Sequence, residues 1–275
     1  LKVLPNDAPA EEHALFASAE TGFHIRELKE AIAALAPAET PMSPIVSDLL
    51  SPGDLAVLVV PIDSAAPKGR LILPQQQTIR DILDAGAIAA VTQHTQLQET
   101  LARLCRPPRL VITDSQVFAQ VSAVTPPEVA LTSFSILFAR HKGNLALAVR
   151  GAAALDTLQP GDAILISEGC THHRQCDDIG SVKLPRWIRA HTKKDFQFVF
   201  SSGTEFPEDL SPYRLVVHCG GCMLSPRQMQ FRQHCAQTQQ IPITNYGVLI
   251  AYMQGILPRV LQPFPDIAAQ LPMHR

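Results

Sequence analysis

The sequence predicts an α/β protein, with two Rossmann-like layered domains built on mainly parallel sheets and preceded by a short helical remnant. Three observations predict it. Short apolar runs, such as Leu55 to Pro61 and Ala163 to Ser167, alternate with segments of helical period. Those runs are apolar throughout rather than at every second position, the pattern of strands covered on both faces in a parallel sheet. With 275 residues and 46% hydrophobic content, the chain is long enough for two cores of ordinary size.

Residues 1–38 hold Ile25, Leu28, Ile32 and Leu35 at spacings of three and four, so Arg26 to Leu35 is expected as an amphipathic helix. Ala36 to Pro44 carries three prolines, and 39–53 is assigned to a linker. A first α/β domain is expected over 54–142. Its strands are Leu55 to Pro61, Ala87 to Thr92 and Arg109 to Thr113, and its helices Gln75 to Ala85, Thr95 to Cys105 and Ser115 to Ser122, the last capped by Asp114 or Ser115. No G-x-G-x-x-G follows any of these strands, so a dinucleotide site has nothing to rest on. Pro67-Lys68-Gly69-Arg70 is a weak phosphate candidate, and an exposed turn is the preferred reading. This domain reads as a structural or self-association module.

The chain turns polar at Arg140 to Asn144, and a second domain is expected over 143–275. Leu145 to Leu158 reads as a helix. Ala163 to Ser167, Phe196 to Phe200 and Tyr213 to Val217 read as strands, with a short segment at Ile241 to Ile243. Ser225-Pro226 supplies an N-cap and a first-turn proline for a helix over Arg227 to Gln239.

Composition narrows the function classes. A formal net charge of -2 carries no global nucleic-acid signature, although Cys170 to Asp195 holds six Lys or Arg against three Asp, which fits an anionic ligand and a solvated charged face equally well. The longest apolar runs fall well short of the roughly 20 residues of a membrane-spanning helix. Leu1 to Asp7 has no signal-peptide apolar core, and a cytoplasmic location is expected. Six cysteines in a chain this long do not form the disulfide framework of a small secreted domain.

Chemistry concentrates in two motifs 45 residues apart, Cys170-Thr171-His172 and His218-Cys219-Gly220-Gly221-Cys222. Each follows an expected strand, and in an open parallel sheet ligands bind at the carboxyl ends of the strands. A C-x-x-C pair alone fits a redox dithiol, half a zinc site or part of an iron-sulfur site. The third thiol and the two imidazoles weaken the dithiol reading. Three thiolates and an imidazole suit zinc as well as a cluster, and Gly220-Gly221 favours the cluster modestly because its backbone can wrap closely around sulfide. His172 and His218 are candidates for the remaining position, with Glu168, Asp177 and Asp178 as carboxylate alternatives. Cys176 and Cys235 read as ordinary thiols, His173 as a surface residue and Cys105 as structural.

These residues resemble a known family, the HydF-type GTPase scaffold of [FeFe]-hydrogenase maturation. The resemblance rests on Glu168 to Cys176, on Asp178-Ile179-Gly180 with Lys183-x-Pro185-Arg186-Trp187, on His218 to Met223, and on Pro242 to Val248. It spans about Gly143 to Pro265. The middle domain fits the family's dimerisation domain in pattern, and residues 1–38 resemble the tail of its GTPase domain.

The resemblance implies a [4Fe-4S] scaffold or carrier that binds a diiron precursor bearing CO and cyanide and delivers it to apo-hydrogenase. It implies ligation by Cys170, Cys219 and Cys222, with the fourth position open or held weakly by His172 or His218. Lys183 and Arg186 are expected to balance the anionic diiron fragment. The implied partners are a second copy of the chain, as a homodimer or a dimer of dimers, the radical-SAM maturases and apo-[FeFe]-hydrogenase. No nucleic acid or membrane is expected. The sequence holds no G-x-x-x-x-G-K-[ST] loop, so GTP is expected only in a domain missing from these residues, and catalysis by this polypeptide stays uncertain. Two other readings stay open: an enzyme using the open cluster position as a Lewis acid, and a zinc-stabilised interaction module.

Overall fold

The computed structural model describes residues 15–35, 43–62, 71–169, 178–203 and 205–271. The chain divides into two compact units, Leu1–Met42 and Ser43–Arg275. In the first, helix α1 (Ile25–Leu35) follows a turn in which the Ser18 carbonyl accepts from the Gly22 N–H at 3.0 Å. The α1 boundary is one residue earlier than the apolar spacing predicts.

The second unit holds two four-stranded sheets, all parallel. The first is built from β1 (Leu55–Val59), α2 (Leu73–Asp84), β2 (Ile88–Thr92), α3 (Leu97–Arg103), β3 (Leu110–Thr113), α4 (Phe118–Val124) and β4 (Ala130–Ser133), and is closed by α5 (Phe134–Lys142). The second follows as α6 (Leu145–Ala153), β5 (Ala163–Ser167), α7 (Leu184–Thr192), β6 (Gln197–Ser201), β7 (Leu215–His218), α8 (Pro226–Thr238), β8 (Ile243–Asn245) and α9 (Tyr246–Met253). The spatial orders are β2-β1-β3-β4 and β6-β5-β7-β8. In each, the second strand of the sequence flanks the first, and the third and fourth lie on the other side. The two Rossmann-like layers expected from the sequence are therefore present, with one topology used twice.

The local reasons are ordinary. The central strands β1, β3, β5 and β7 are apolar and buried on both faces, as parallel strands between helices must be. Ser133 and Asn245, the last residues of β4 and β8, each cap the helix that follows by accepting from the backbone N–H three positions on, Ile136 and Val248. Ser225 caps α8 through a capping box with Gln228.

The 39–53 stretch expected as a linker is packed where it is described. Ile45, Val46 and Leu50 are buried, and Asp81 of α2 accepts from the backbone N–H groups of Val46 and Ser47 at 2.7 and 2.8 Å. Arg140 of α5 adds two contacts of 2.7 Å to the Asp48 carboxylate. Prolines mark where this segment starts, but its own apolar residues hold it on the first sheet. The helix expected over Thr95 to Cys105 opens as a 3-10 turn, His94–Gln96, before α3. Cys105, expected as structural, is exposed. Pro67-Lys68-Gly69-Arg70 lies outside the described residues.

Among the described residues one large hydrophobic cluster runs under both sheets, and a smaller one, with Leu165, Val216 and Ile243, packs on the second sheet. The carboxyl edges of the two sheets meet. The Asn245 amide donates to the Ser135 carbonyl at 2.9 Å, and Gly247 lies so close that a Cβ there would stand 2.3 Å from Cβ of Ser135 and 2.8 Å from Oγ of Ser115. Helix α10 (Leu257–Val260) returns to β4, where Arg259 donates to the carbonyls of Pro126 and Val129. No described helix is long and apolar enough to cross a membrane.

Candidate metal centre

The site is assembled from the ends of β5, β7 and β8. Pairing sets Ser167 beside His218 and His218 beside Asn245, so the residues following these strands share one edge. The chain leaves β5 through Glu168 and Gly169, and leaves β7 through Cys219.

Cys219 is fixed first by its backbone, whose N–H donates to the Ser167 carbonyl at 2.9 Å and continues the ladder beyond the strand. Its Sγ accepts two backbone N–H groups, from Gly169 at 3.0 Å and from Gly221 at 3.4 Å. Two amide donors on one sulfur suit a thiolate or a metal thiolate, which is an acceptor, better than a neutral thiol. Gly221 adopts φ +62, a left-handed conformation that glycine reaches at low cost and that bends the loop back over the sulfur. Gly169 is also the covalent neighbour of Cys170, so the backbone leading to the upstream motif touches the downstream cysteine. Cys170, Thr171 and His172 lie outside the described residues, as do His173, Cys176 and Asp177.

His218 is 2% exposed, and both of its ring nitrogens are engaged. Arg232 of α8 donates from Nη1 to Nε2 at 2.9 Å. A guanidinium only donates, so Nε2 is the acceptor and Nδ1 carries the proton, which it donates to the Cys219 carbonyl at 2.7 Å. Burial pushes the His218 pKa down to about 4, opposed by the bond to the Cys219 carbonyl and reinforced by the nearby Arg232 charge. In this arrangement His218 presents no spare nitrogen to a metal. It acts on the site through the backbone of the cysteine it precedes. Arg232, 3% exposed, also donates to Oγ of Ser167 at 3.3 Å and to the Gly203 carbonyl at 2.7 Å, and so joins the ends of β5, β6 and β7.

On the other side of Cys219, the Tyr246 hydroxyl donates to Oε1 of the buried Glu168 at 3.2 Å. Burial, and then the charges of Glu168 and Cys219, hold the phenol well above its ordinary pKa, so it stays a donor. Gly180 is packed against both groups, and a Cβ there would lie 2.4 Å from each of the two oxygens. Asp178 caps the helical turn Ile179–Lys183 by accepting from Ser181 at 2.8 Å.

The two cationic candidates separate. Lys183 reaches Oε1 of Gln116, at the carboxyl edge of the first sheet, at 3.3 Å, whereas Arg186 is exposed on α7. Elsewhere in that basic stretch, Arg189 pairs with Asp195 at 2.6 Å. A cation that the motifs do not contain also reaches the cysteine loop. Lys142, the last residue of α5, donates to the carbonyls of Gly221, Cys222 and Leu224 at 3.2, 2.9 and 3.0 Å. Neither Lys142 nor Arg232 carries a sequence signal, since both look like solvated charges. Tyr246 lies inside the Pro242 to Val248 stretch that carries part of the resemblance.

Among the described residues no three His, Cys, Asp or Glu side chains gather as a metal site. Cys219 and Cys222 contribute two thiols to one loop, and the third expected thiol is the residue directly after Gly169. This donor set, with amides aimed at sulfur, fits an iron-sulfur centre.

Two family models match the chain. The hydrogen maturase F dimerization domain covers residues 45–143 and contains the first sheet. The hydrogen maturase F tetramerization domain covers residues 146–263 and contains the second sheet with its cysteines. No curated protein matches.

Proposed function

The chain belongs to the hydrogen maturase F family and has its role in hydrogenase maturation, and on that premise we propose that it is a [4Fe-4S] scaffold. In this reading it receives a diiron precursor bearing CO and cyanide and passes it to apo-[FeFe]-hydrogenase. Cys170, Cys219 and Cys222 hold the cluster. The observation that carries the reading is the pair of backbone N–H groups on Cys219 Sγ, one of which comes from the residue next to Cys170. A cluster held by Cys170, Cys219 and Cys222 would supply an iron position not taken by cysteine, open to a further ligand. The residues around it bind and orient: Arg232 and His218 fix the Cys219 backbone, and Glu168 with Tyr246 presents a buried acidic and hydroxyl face. Of the carboxylate alternatives at the fourth position, Glu168 is the described one nearest in the chain to Gly169.

The chain is read as acting in homo-oligomers, supported by the dimerization and tetramerization domains it matches. Strand β2 is an edge strand of its sheet, and Ile88 and Val91 on it are 55% and 49% exposed. An open apolar edge of this kind suits pairing with the same edge of a second copy. Radical-SAM maturases are the proposed source of the diiron fragment.

The reading is tested by loading the reconstituted chain with a synthetic diiron complex bearing CO and cyanide, then mixing it with apo-hydrogenase. Hydrogen evolution that depends on the loaded chain, and that a Cys219→Ser, Cys222→Ser chain fails to support, is the expected result. Equal activation by the complex alone removes the carrier role.

A further inference from the structure

Lys142 is 7% exposed and belongs to the dimerization-type domain, yet its amine makes its hydrogen bonds in the other one. An ammonium has three protons, and all three acceptors here are backbone carbonyls of the cysteine loop: Gly221, Cys222 and Leu224. Neutral carbonyls satisfy its hydrogen bonds but only partly offset the cost of taking a charge out of water. Burial lowers the Lys142 pKa, and proximity to Cys222 and then to Cys219 opposes that shift. Its anchorage is equally specific. Lys142 ends α5, where the helix dipole favours a cation. The next residue, Gly143, packs so tightly on α8 that a Cβ would meet Nε2 of Gln233 at 2.6 Å, and the Asn144 N–H donates to Oε1 of the same glutamine at 3.0 Å. The tether that delivers the amine is thus pinned to the helix that follows the cysteine loop.

The carbonyl directions have a further effect. In a trans peptide the N–H points opposite to the C=O. Drawing the carbonyls of Gly221 and Cys222 toward Lys142 turns the N–H groups of Cys222 and Met223 to the opposite side of the loop. Two successive amides turned one way favour an anion on that side of the loop.

We infer that Lys142 is a positioning residue for the cysteine centre: it clamps the 219–224 loop in its ligating conformation and supplies the buried positive charge that balances an anionic thiolate-bound cluster. This rests on the scaffold reading for the identity of the centre, but the clamp itself does not. It also ties the dimerization-type domain to the centre, because the residue that shapes the loop is carried on α5.

The test compares the full chain with Lys142→Met, which keeps the apolar stem and removes the charge, and Lys142→Arg, which keeps the charge. In the metal-free chain, hydrogen exchange of the 220–224 amides is expected to speed by about tenfold or more in Lys142→Met, the loss of a set of buried hydrogen bonds. In the anaerobically reconstituted chain, the cluster's reduction potential is expected to shift negative in Lys142→Met and to stay near the wild-type value in Lys142→Arg. Equal exchange in wild type and Lys142→Met overturns the clamp, whatever the metal content. A folded Lys142→Met chain that keeps its cluster at an unchanged potential overturns the charge role. A wild-type chain that holds no cluster but shows the exchange difference overturns the scaffold reading and upholds the clamp.

Discussion

Arg232 donates to Nε2 of His218 at 2.9 Å, and this contact decides which way the histidine of the H-C-x-x-C motif faces. The ring is turned toward Arg232 of α8, and its Nδ1 proton is donated to the Cys219 carbonyl. A motif in which histidine and cysteine are adjacent suggests two ligands. In this structure both ring nitrogens of His218 are engaged, one by Arg232 and the other by the carbonyl of the adjacent Cys219.

A His218→Gln chain should therefore bind the same amount of metal as the wild type after reconstitution, while unfolding at lower denaturant. Loss of metal from a His218→Gln chain that is otherwise folded would return the imidazole to the ligand set.

Removing the donor should cost more than removing the acceptor. Arg232→Met leaves Nε2 of His218 and the Gly203 carbonyl without their donor, while Oγ of Ser167 keeps Ser201, and leaving buried acceptors unsatisfied costs about 1 to 3 kcal/mol each. Urea unfolding of the metal-free chain measures it. A change within about 0.5 kcal/mol, the range of a surface substitution, would show that the guanidinium is dispensable.

Gly151 poses a contest between two effects. It lies inside α6, where replacing glycine by alanine ordinarily gains up to about 1 kcal/mol of helix propensity. A Cβ at this position would sit 2.0 Å from the backbone carbonyl oxygen of Ile243 on β8, which cannot move without disturbing the sheet. Overpacking of this sort costs about 1 to 3 kcal/mol, and the clash should win. Thermal unfolding of Gly151→Ala is expected at a lower temperature than wild type, and a rise would contradict the packing.

Much of this architecture is legible in the sequence, and the exceptions have physical causes. Strands β1, β3 and β5 announce themselves as short runs apolar on both faces, and Ser225-Pro226 marks the start of α8 because capping chemistry is local. Helix α9 is hidden: Tyr246 to Ala251 are all buried, so no polar face gives it a helical period. The packed arm at Ile45 to Leu50 is hidden by the prolines before it. At the site, the cysteines are legible because their chemistry is rare. Lys142 and Arg232 are not, because their burial is created by contacts with carbonyls and side chains 80 and 14 residues away.

The first sheet gives a prediction about assembly. Val91→Lys places a charge on the exposed edge strand β2, and charges on an edge oppose strand pairing between copies. Light scattering should find smaller particles than for wild type, with the fold unchanged by circular dichroism. An unchanged mass would move the interface away from this edge.

Asp81 tests the arm. Asp81→Ala removes the acceptor shared by the N–H groups of Val46 and Ser47, and limited proteolysis should then cut the 43–50 segment before any other described part of the second unit. Resistance equal to wild type would show that the buried apolar residues alone hold it.

The iron-sulfur nature of the cysteine centre is tested directly by anaerobic reconstitution of the full chain, with analysis of iron, sulfide and zinc and an EPR spectrum of the reduced protein. Iron and sulfide are expected in equal amounts, about four of each per chain, with a four-iron signal that Cys219→Ser weakens or abolishes. Stoichiometric zinc with no four-iron signal would contradict an iron-sulfur centre.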